Sequence, residues 1–141
     1  MAWPFSLEIK VRFRDLDAMG HVNNAVYFTY LEQARTDYYM KLAEKSKISD
    51  LGFIVASAKC DYKSAASIED SIVVYVKPAK IGKTSWAFRY EMRDQKTDRL
   101  VAEAETIQVA YNYKRKKKKR MSHELKQRLL EDIALSEKKE A

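Results

Sequence analysis

Proline and glycine are scarce in this chain, with two Pro and three Gly among 141 residues. So few breakers leave little room for long irregular loops, and regular structure is expected almost throughout. Cysteine is scarcer still. The single Cys60 excludes an internal disulfide and a cysteine-built structural zinc site, and it reads as a small core residue on a strand. No apolar run approaches bilayer-spanning length, and Met1-Ala-Trp-Pro-Phe5 lacks the basic-then-apolar pattern of an export signal. A cytoplasmic protein without a membrane span is the expectation, and the length suits one domain over 1–141 with a substantial core.

A broadly basic surface is also missing, despite a net charge of +7. The run Lys114-Arg-Lys-Lys-Lys-Lys-Arg120 supplies seven of the 27 Lys and Arg, and 27 minus 7 leaves 20 against 20 Asp and Glu. The excess is one local tract. A solvated linker is its plainest reading; contact with phosphates or another anionic partner is the functional one. It lacks interleaved aromatics beyond Tyr111 and Tyr113 and no groove-entering helix is evident, so no specific nucleic-acid partner is expected.

Leu7, Ile9, Val11 and Phe13 alternate with Glu8, Lys10, Arg12 and Arg14, which predicts a half-buried strand. From about Asn24 the period lengthens. Tyr27, Leu31, Ala34, Tyr38 and Leu42 form a helical stripe and predict one long helix ending near Lys45. Strands are then expected over Phe53–Tyr62, Ile72–Val76, Thr84–Met92 and Leu100–Tyr113, with Asp94–Asp98 turning the last hairpin. Ala102, Ala104, Thr106 and Ala110 give the final strand a face of small residues on which a helix could lie. Ser122 is placed to cap a terminal helix over 122–138 that carries Leu125, Leu129 and Ile133. With no parallel strand–helix–strand alternation, the fold class is α+β with an antiparallel sheet around one helix.

The chemistry concentrates in Asp17-Ala-Met-Gly-His-Val-Asn-Asn24. An acid on a Gly-containing loop stands seven positions before the start of the long helix. Helix N-termini carry unpaired N–H groups and the positive dipole end, where a developing oxyanion is stabilised. Acid plus oxyanion site is what an acyl-transfer or thioester-hydrolysis centre needs.

The pattern Arg12, Arg14, Asp17, Gly20-His-Val-Asn-Asn24, Tyr27, Tyr30, Glu32, Ala34 and Arg35 resembles the leading signature of hotdog-fold acyl-CoA thioesterases of the 4-hydroxybenzoyl-CoA thioesterase-like family. A weaker second block is Asp61-Tyr62 with Asp70, where Ala65 and Glu69 stand in place of the family's Pro and Gly. The resemblance implies a sheet wrapped around one central helix, with hydrolysis of acyl-CoA to the free acid and coenzyme A. It implies no metal and no cofactor, and a homodimer, assembled further to a homotetramer, with sites between subunits.

By the same resemblance Asp17 is the nucleophile or general base, and the backbone N–H of Asn24 faces the thioester oxygen. His21 has a supporting role, while Gly20, Val22, Asn23 and Tyr27 border the substrate. The plain alternatives are a loop-capping Asp17, an N-cap role for Asn23 and a loop-ordering His21. Glu32 is the second-choice acid, since one clade of these enzymes carries its acid on the helix with a Thr four positions on, as Glu32 and Thr36 stand here. Eight helical residues separate it from Asn24 by about 12 Å, so the two could meet only across a dimer; pairing with Arg35 or Lys41 is its structural alternative. A non-catalytic module that binds acyl-CoA or another anionic ligand, nucleic acid included, is the rival function. A hydratase is disfavoured, because Asp17 and His21 stand four apart rather than five.

Overall fold

The computed structural model describes residues 3–44 and 52–140. The chain forms β1 (Phe5–Lys10), α1 (Val26–Leu42), β2 (Phe53–Tyr62), β3 (Ser71–Ala79), β4 (Ser85–Asp94), β5 (Leu100–Asn112), the short β6 (Lys117–Lys118) and α2 (His123–Glu140). All pairings are antiparallel, in the order β1-β3-β4-β5-β2, with β6 added to β5.

The sheet wraps α1. Tyr27, Leu31, Ala34, Tyr38 and Leu42, the stripe read from the sequence, are all buried, in one cluster with Val74, Val76, Trp86, Phe88, Tyr90 and Met92 of β3 and β4. The unbroken alternation of β4 thus belongs to the core. Tyr38 packs on Phe88 at 5.3 Å between ring centres, and Tyr39 stacks on Trp86 at 6.2 Å. Each such side chain removed from water contributes about 1.5–3 kcal/mol. The small face of β5 is buried at Ala102, Thr106 and Ala110. It also carries a polar chain that the sequence pattern did not reveal. Tyr90 and Thr106 share a hydrogen bond, the Thr106 hydroxyl donates to Gln108 Oε1, and Gln108 Nε2 donates to the Trp86 carbonyl. Burial pushes the Tyr90 hydroxyl up to about 12.

Two of the boundaries that differ from the sequence reading have a visible local cause. The first strand stops at Lys10, and Phe13–Asp15 form a 3-10 turn. The reason lies in Asp15, whose carboxylate accepts hydrogen bonds from the Arg12 N–H at 3.0 Å and the Arg12 guanidinium at 3.2 Å. That capping bends the chain, and Phe13, the next apolar residue in the alternation, is left 85% exposed. At the other end β3 continues through Pro78. The β1 ladder ends at Val76, so the residue that cannot donate lies beyond it. The helix α1 ends at Leu42, and the sequence-based limit at Lys45 lies outside the described residues.

The terminal helix lies against β3 and α1. Ser122 Oγ accepts the Leu125 N–H at 3.1 Å, the capping its sequence position indicates, and Tyr38 donates to Asp132 across the two helices. At the opposite sheet edge, β2 is exposed from Ile54 to Lys59.

Candidate active site

Asp15 anchors the segment that carries the candidate acid. It is 2% exposed and takes a third hydrogen bond from the Tyr30 hydroxyl of α1 at 2.7 Å. Burial alone would raise its pKa; the Arg12 N–H, the Tyr30 hydroxyl and the Arg12 guanidinium outweigh it and hold the carboxyl below its ordinary range. A carboxyl so lowered stabilises the fold above the unfolded-state value and loses that contribution as pH falls through the folded one. Tyr30→Phe removes one donor. It should cost about 1.5–3 kcal/mol at neutral pH, and the deficit should shrink in acid below the folded-state value. Urea unfolding at the two pH values checks this; an equal deficit at both would show that the Tyr30 hydroxyl contributes independently of the charge on Asp15.

From that anchor the chain makes a small closed loop. Leu16 bridges to Val22, and His21 bridges to Ser67. The Asp17 N–H donates to the His21 carbonyl at 2.7 Å, while Asp17 Oδ1 accepts the N–H groups of Met19 at 2.8 Å and His21 at 3.2 Å. Gly20 sits at the tip with φ 81°, a backbone angle other residues adopt only at a cost. A Cβ there would meet nothing within 4 Å, so the angle alone calls for glycine. Asp17 therefore does cap its own loop. Its other oxygen, Oδ2, receives no donor among the described residues.

Val22 then buries its side chain and donates its N–H to the Ala66 carbonyl at 2.8 Å. Asn23 donates to the Asp15 carbonyl, accepts the Ala25 N–H on its side chain at 2.9 Å and accepts the Val26 N–H on its carbonyl. These bonds turn the chain just ahead of α1, whose N-cap position is Ala25. The Asn24 N–H has no partner among the described residues, so a donor lies open at the positive end of a 17-residue helix.

A cleft of about 490 Å³ opens here, lined by Asp17, His21, Val22, Asn24, Tyr27, Tyr62, Lys63, Ser64 and Ala65. Five of the residues singled out from the sequence thus share one wall. Gly20 and Asn23 shape the loop from outside the cleft. Glu32 is also outside it, 3.6 Å from Arg35 with its side chain 68% exposed.

The opposite wall was not singled out as a site. Tyr62 donates its hydroxyl to the Asn24 carbonyl at 2.8 Å and packs edge-on against Tyr27 at 5.0 Å. It thereby ties the end of β2 to the start of α1. Lys63 and Ser64 hang on the Val101 carbonyl, and Arg99 braces the segment through Ser64 Oγ, the Ala65 carbonyl and Asp70. The available signal was the weak block Asp61-Tyr62 with Asp70. Cys60, two positions before Tyr62 on the strand, is half-buried, and burial pushes its thiol up to about 11, which suits packing rather than nucleophilic attack. Among the described residues no group of three His, Cys, Asp or Glu is placed to share a metal ion.

The sequence matches the thioesterase-like superfamily over residues 11–129. It is 33% identical over 89 residues to the uncharacterized protein YsmA of Bacillus subtilis, covering 63% of this chain and 60% of that protein. To the acyl-CoA thioesterase YbgC of Haemophilus influenzae it is 29% identical, over 75% of this chain and 79% of the relative. The fold superposes with a TM-score of 0.82 on a thioesterase of Thermus thermophilus solved with coenzyme A and zinc, at 26% identity and 96% coverage of both chains.

Proposed function

Because the chain belongs to the thioesterase-like superfamily and has its hotdog fold, we propose that it hydrolyses acyl-CoA at the cleft between Asp17 and the start of α1. The observation that carries this reading is that a carboxylate oxygen and an N–H at the start of α1, both without a partner among the described residues, share one cleft wall. The thioester oxygen sits on the Asn24 N–H, where the negative charge of the tetrahedral intermediate is stabilised. Asp17 Oδ2 takes a proton from a water that adds to the carbonyl carbon. Collapse breaks the C–S bond, and the proton passes to the departing thiolate, giving acid and coenzyme A. Attack by Asp17 itself, with an acyl-carboxylate intermediate, is the nucleophilic variant. His21 flanks the acid, Val22 and Tyr27 border the acyl group, and Glu32 has no part in the step. No cofactor is required, and the setting is the cytoplasm.

The working unit in this proposal is a homodimer joined along β2, with pairs of dimers forming a homotetramer. In support, β2 is a ten-residue edge strand with no strand on its outer side among the described residues, and Ile54, Val55 and Tyr62 are 38%, 37% and 45% exposed. A bare edge of this length is a template for another strand, and it borders the open cleft through Tyr62.

Thiol release from short, medium, long and aromatic acyl-CoAs tests the activity, and sedimentation of the same protein tests the assembly. The expected result is turnover of at least one member by a species of dimer mass or larger. A protein that binds acyl-CoA and releases no thiol from any member would be the binding module instead, and Asp17 would be a loop cap only. A fully active monomer would remove the dimer from the proposal.

A further inference from the structure

The basic tract is left unused by the reaction just described, yet it is a built structure. Asn112 Oδ1 accepts the N–H groups of Lys114 and Arg115, both at 3.0 Å, and Lys116 takes a left-handed turn at φ 55°. The chain then returns as β6, with Lys117 opposite Asn112 and Lys118 opposite Tyr111. All seven basic residues of 114–120 are exposed, and none forms an ion pair among the described residues. At the base of this hairpin Tyr113 is 54% exposed, packs edge-on against Tyr111 at 4.9 Å and donates its hydroxyl to the Phe53 carbonyl at 2.7 Å. Clustered cations and an exposed ring are therefore held at the Phe53 end of β2.

Within one chain this hairpin is remote from the acid. Phe53 pairs with Ala110 at one end of the β2–β5 ladder, and Tyr62, which lines the Asp17 cleft, pairs with Ala102 at the other. Ten strand residues separate the two ends by about 30 Å. Pairing β2 with a second copy reverses the relation. A two-fold axis normal to the sheet and centred on β2 sets the strands antiparallel, so each Phe53 falls about 5 Å across the gap from the partner's Tyr62. The hairpin of one protomer then overhangs the mouth of the other protomer's cleft.

Coenzyme A has its thioester at one end and a 3′-phosphate and pyrophosphate on adenosine at the other. We propose that the Lys114–Arg120 hairpin of one protomer holds the phosphate end of the coenzyme A whose thioester lies in the partner's Asp17 cleft, with Tyr113 packing against the adenine. This rests on the thioesterase reading and on the β2 dimer. Lys and Arg free of ion pairs can meet phosphate oxygens without first giving up a carboxylate, and an exposed tyrosine ring offers a surface for a base.

The test replaces Lys114, Arg115, Lys116 and Lys117 with Ser and compares acyl-CoA with the matching acyl-pantetheine, which lacks the nucleotide. The expected result is a KM for acyl-CoA raised about tenfold or more, with kcat and the KM for acyl-pantetheine unchanged. The tract-substituted chain is then co-expressed with Asp17→Ala under two tags, and mixed dimers are isolated. In trans, each mixed dimer carries one complete site and recovers the wild-type KM; in cis, neither site is complete and the raised KM remains. An unchanged acyl-CoA KM, an equal loss on acyl-pantetheine, or mixed dimers that keep the raised KM would each overturn the proposal. So would tract-dependent binding of an oligonucleotide or of anionic vesicles with the acyl-CoA KM unmoved. Failure of the underlying readings shows separately, as no thiol release by wild type or as a monomer in sedimentation. Free coenzyme A, titrated against both tract forms of the Asp17→Ala protein, still reports the phosphate contact where turnover is absent; equal affinity of the two forms would overturn the proposal there.

Discussion

Asp17→Asn is expected to fold and to hold its loop as the wild type does, and to lose turnover by about 10²–10⁴-fold. The two duties of Asp17 fall on different oxygens. Oδ1 accepts the Met19 and His21 N–H groups, which an asparagine carbonyl oxygen can also do. The amide nitrogen then replaces Oδ2, and it can neither take a proton nor attack a carbonyl. Asp17→Ala removes both functions, so it should lose the same activity and, in addition, about 1 kcal/mol of stability from the uncapped loop. Thiol release and thermal unfolding on the three proteins separate the cases. If the Asn variant keeps its turnover, Asp17 is a cap and the acid lies elsewhere, with Glu32→Gln the next substitution to measure. If both variants melt alike, the loop does not depend on the Oδ1 hydrogen bonds.

Trp86→Ala should be the most destabilising single change in the core, costing about 3–5 kcal/mol out of the about 5–15 kcal/mol that holds a domain together. Its ring is 1% exposed, stacked on Tyr39 and edge-on to Phe53 and Phe88. It therefore joins the helix, the start of β2 and the centre of the sheet. The indole Nε1–H has no acceptor among the described residues, and a buried donor left unpaired opposes folding. Trp86→Phe keeps much of the packing and removes that donor, so it should cost less than about 1.5 kcal/mol. Urea unfolding of the pair checks both. A Phe variant as unstable as the Ala variant would mean that the indole N–H is hydrogen-bonded and that ring area is not the main contribution.

The elements legible in the sequence were those whose side-chain period is set by one buried face. The stripe from Tyr27 to Leu42 and the alternation from Trp86 to Met92 both point at the same core, and both were readable. The loop from Asp17 to Asn24 was readable for another reason, since its residues serve backbone geometry and chemistry at once. Three features were hidden. The end of β1 depends on the Asp15 carboxylate reaching back to Arg12, a contact that the apolar Phe13 disguises by continuing the alternation. The Thr106–Gln108 chain is polar on a buried strand face, where hydropathy signals exposure. The far wall of the cleft forms only when the segment after Tyr62 is drawn in by Arg99, 34 and 35 positions away for Ala65 and Ser64, and no local period records a contact of that range.

The bare edge of β2 also bears on how the chain avoids sticking to the wrong partner. A newly made chain shows a strand rich in β-branched and small residues, Phe53-Ile-Val-Ala-Ser-Ala58, to every other extended segment nearby. The register break between Val55 and Ser57 distorts that edge, and Lys59 and Asp61 place charge along its second half. An extended segment laid along this edge meets a kink and then the Lys59–Asp61 ion pair. Together these features resist runaway fibre growth, which needs flat strands stacked without interruption.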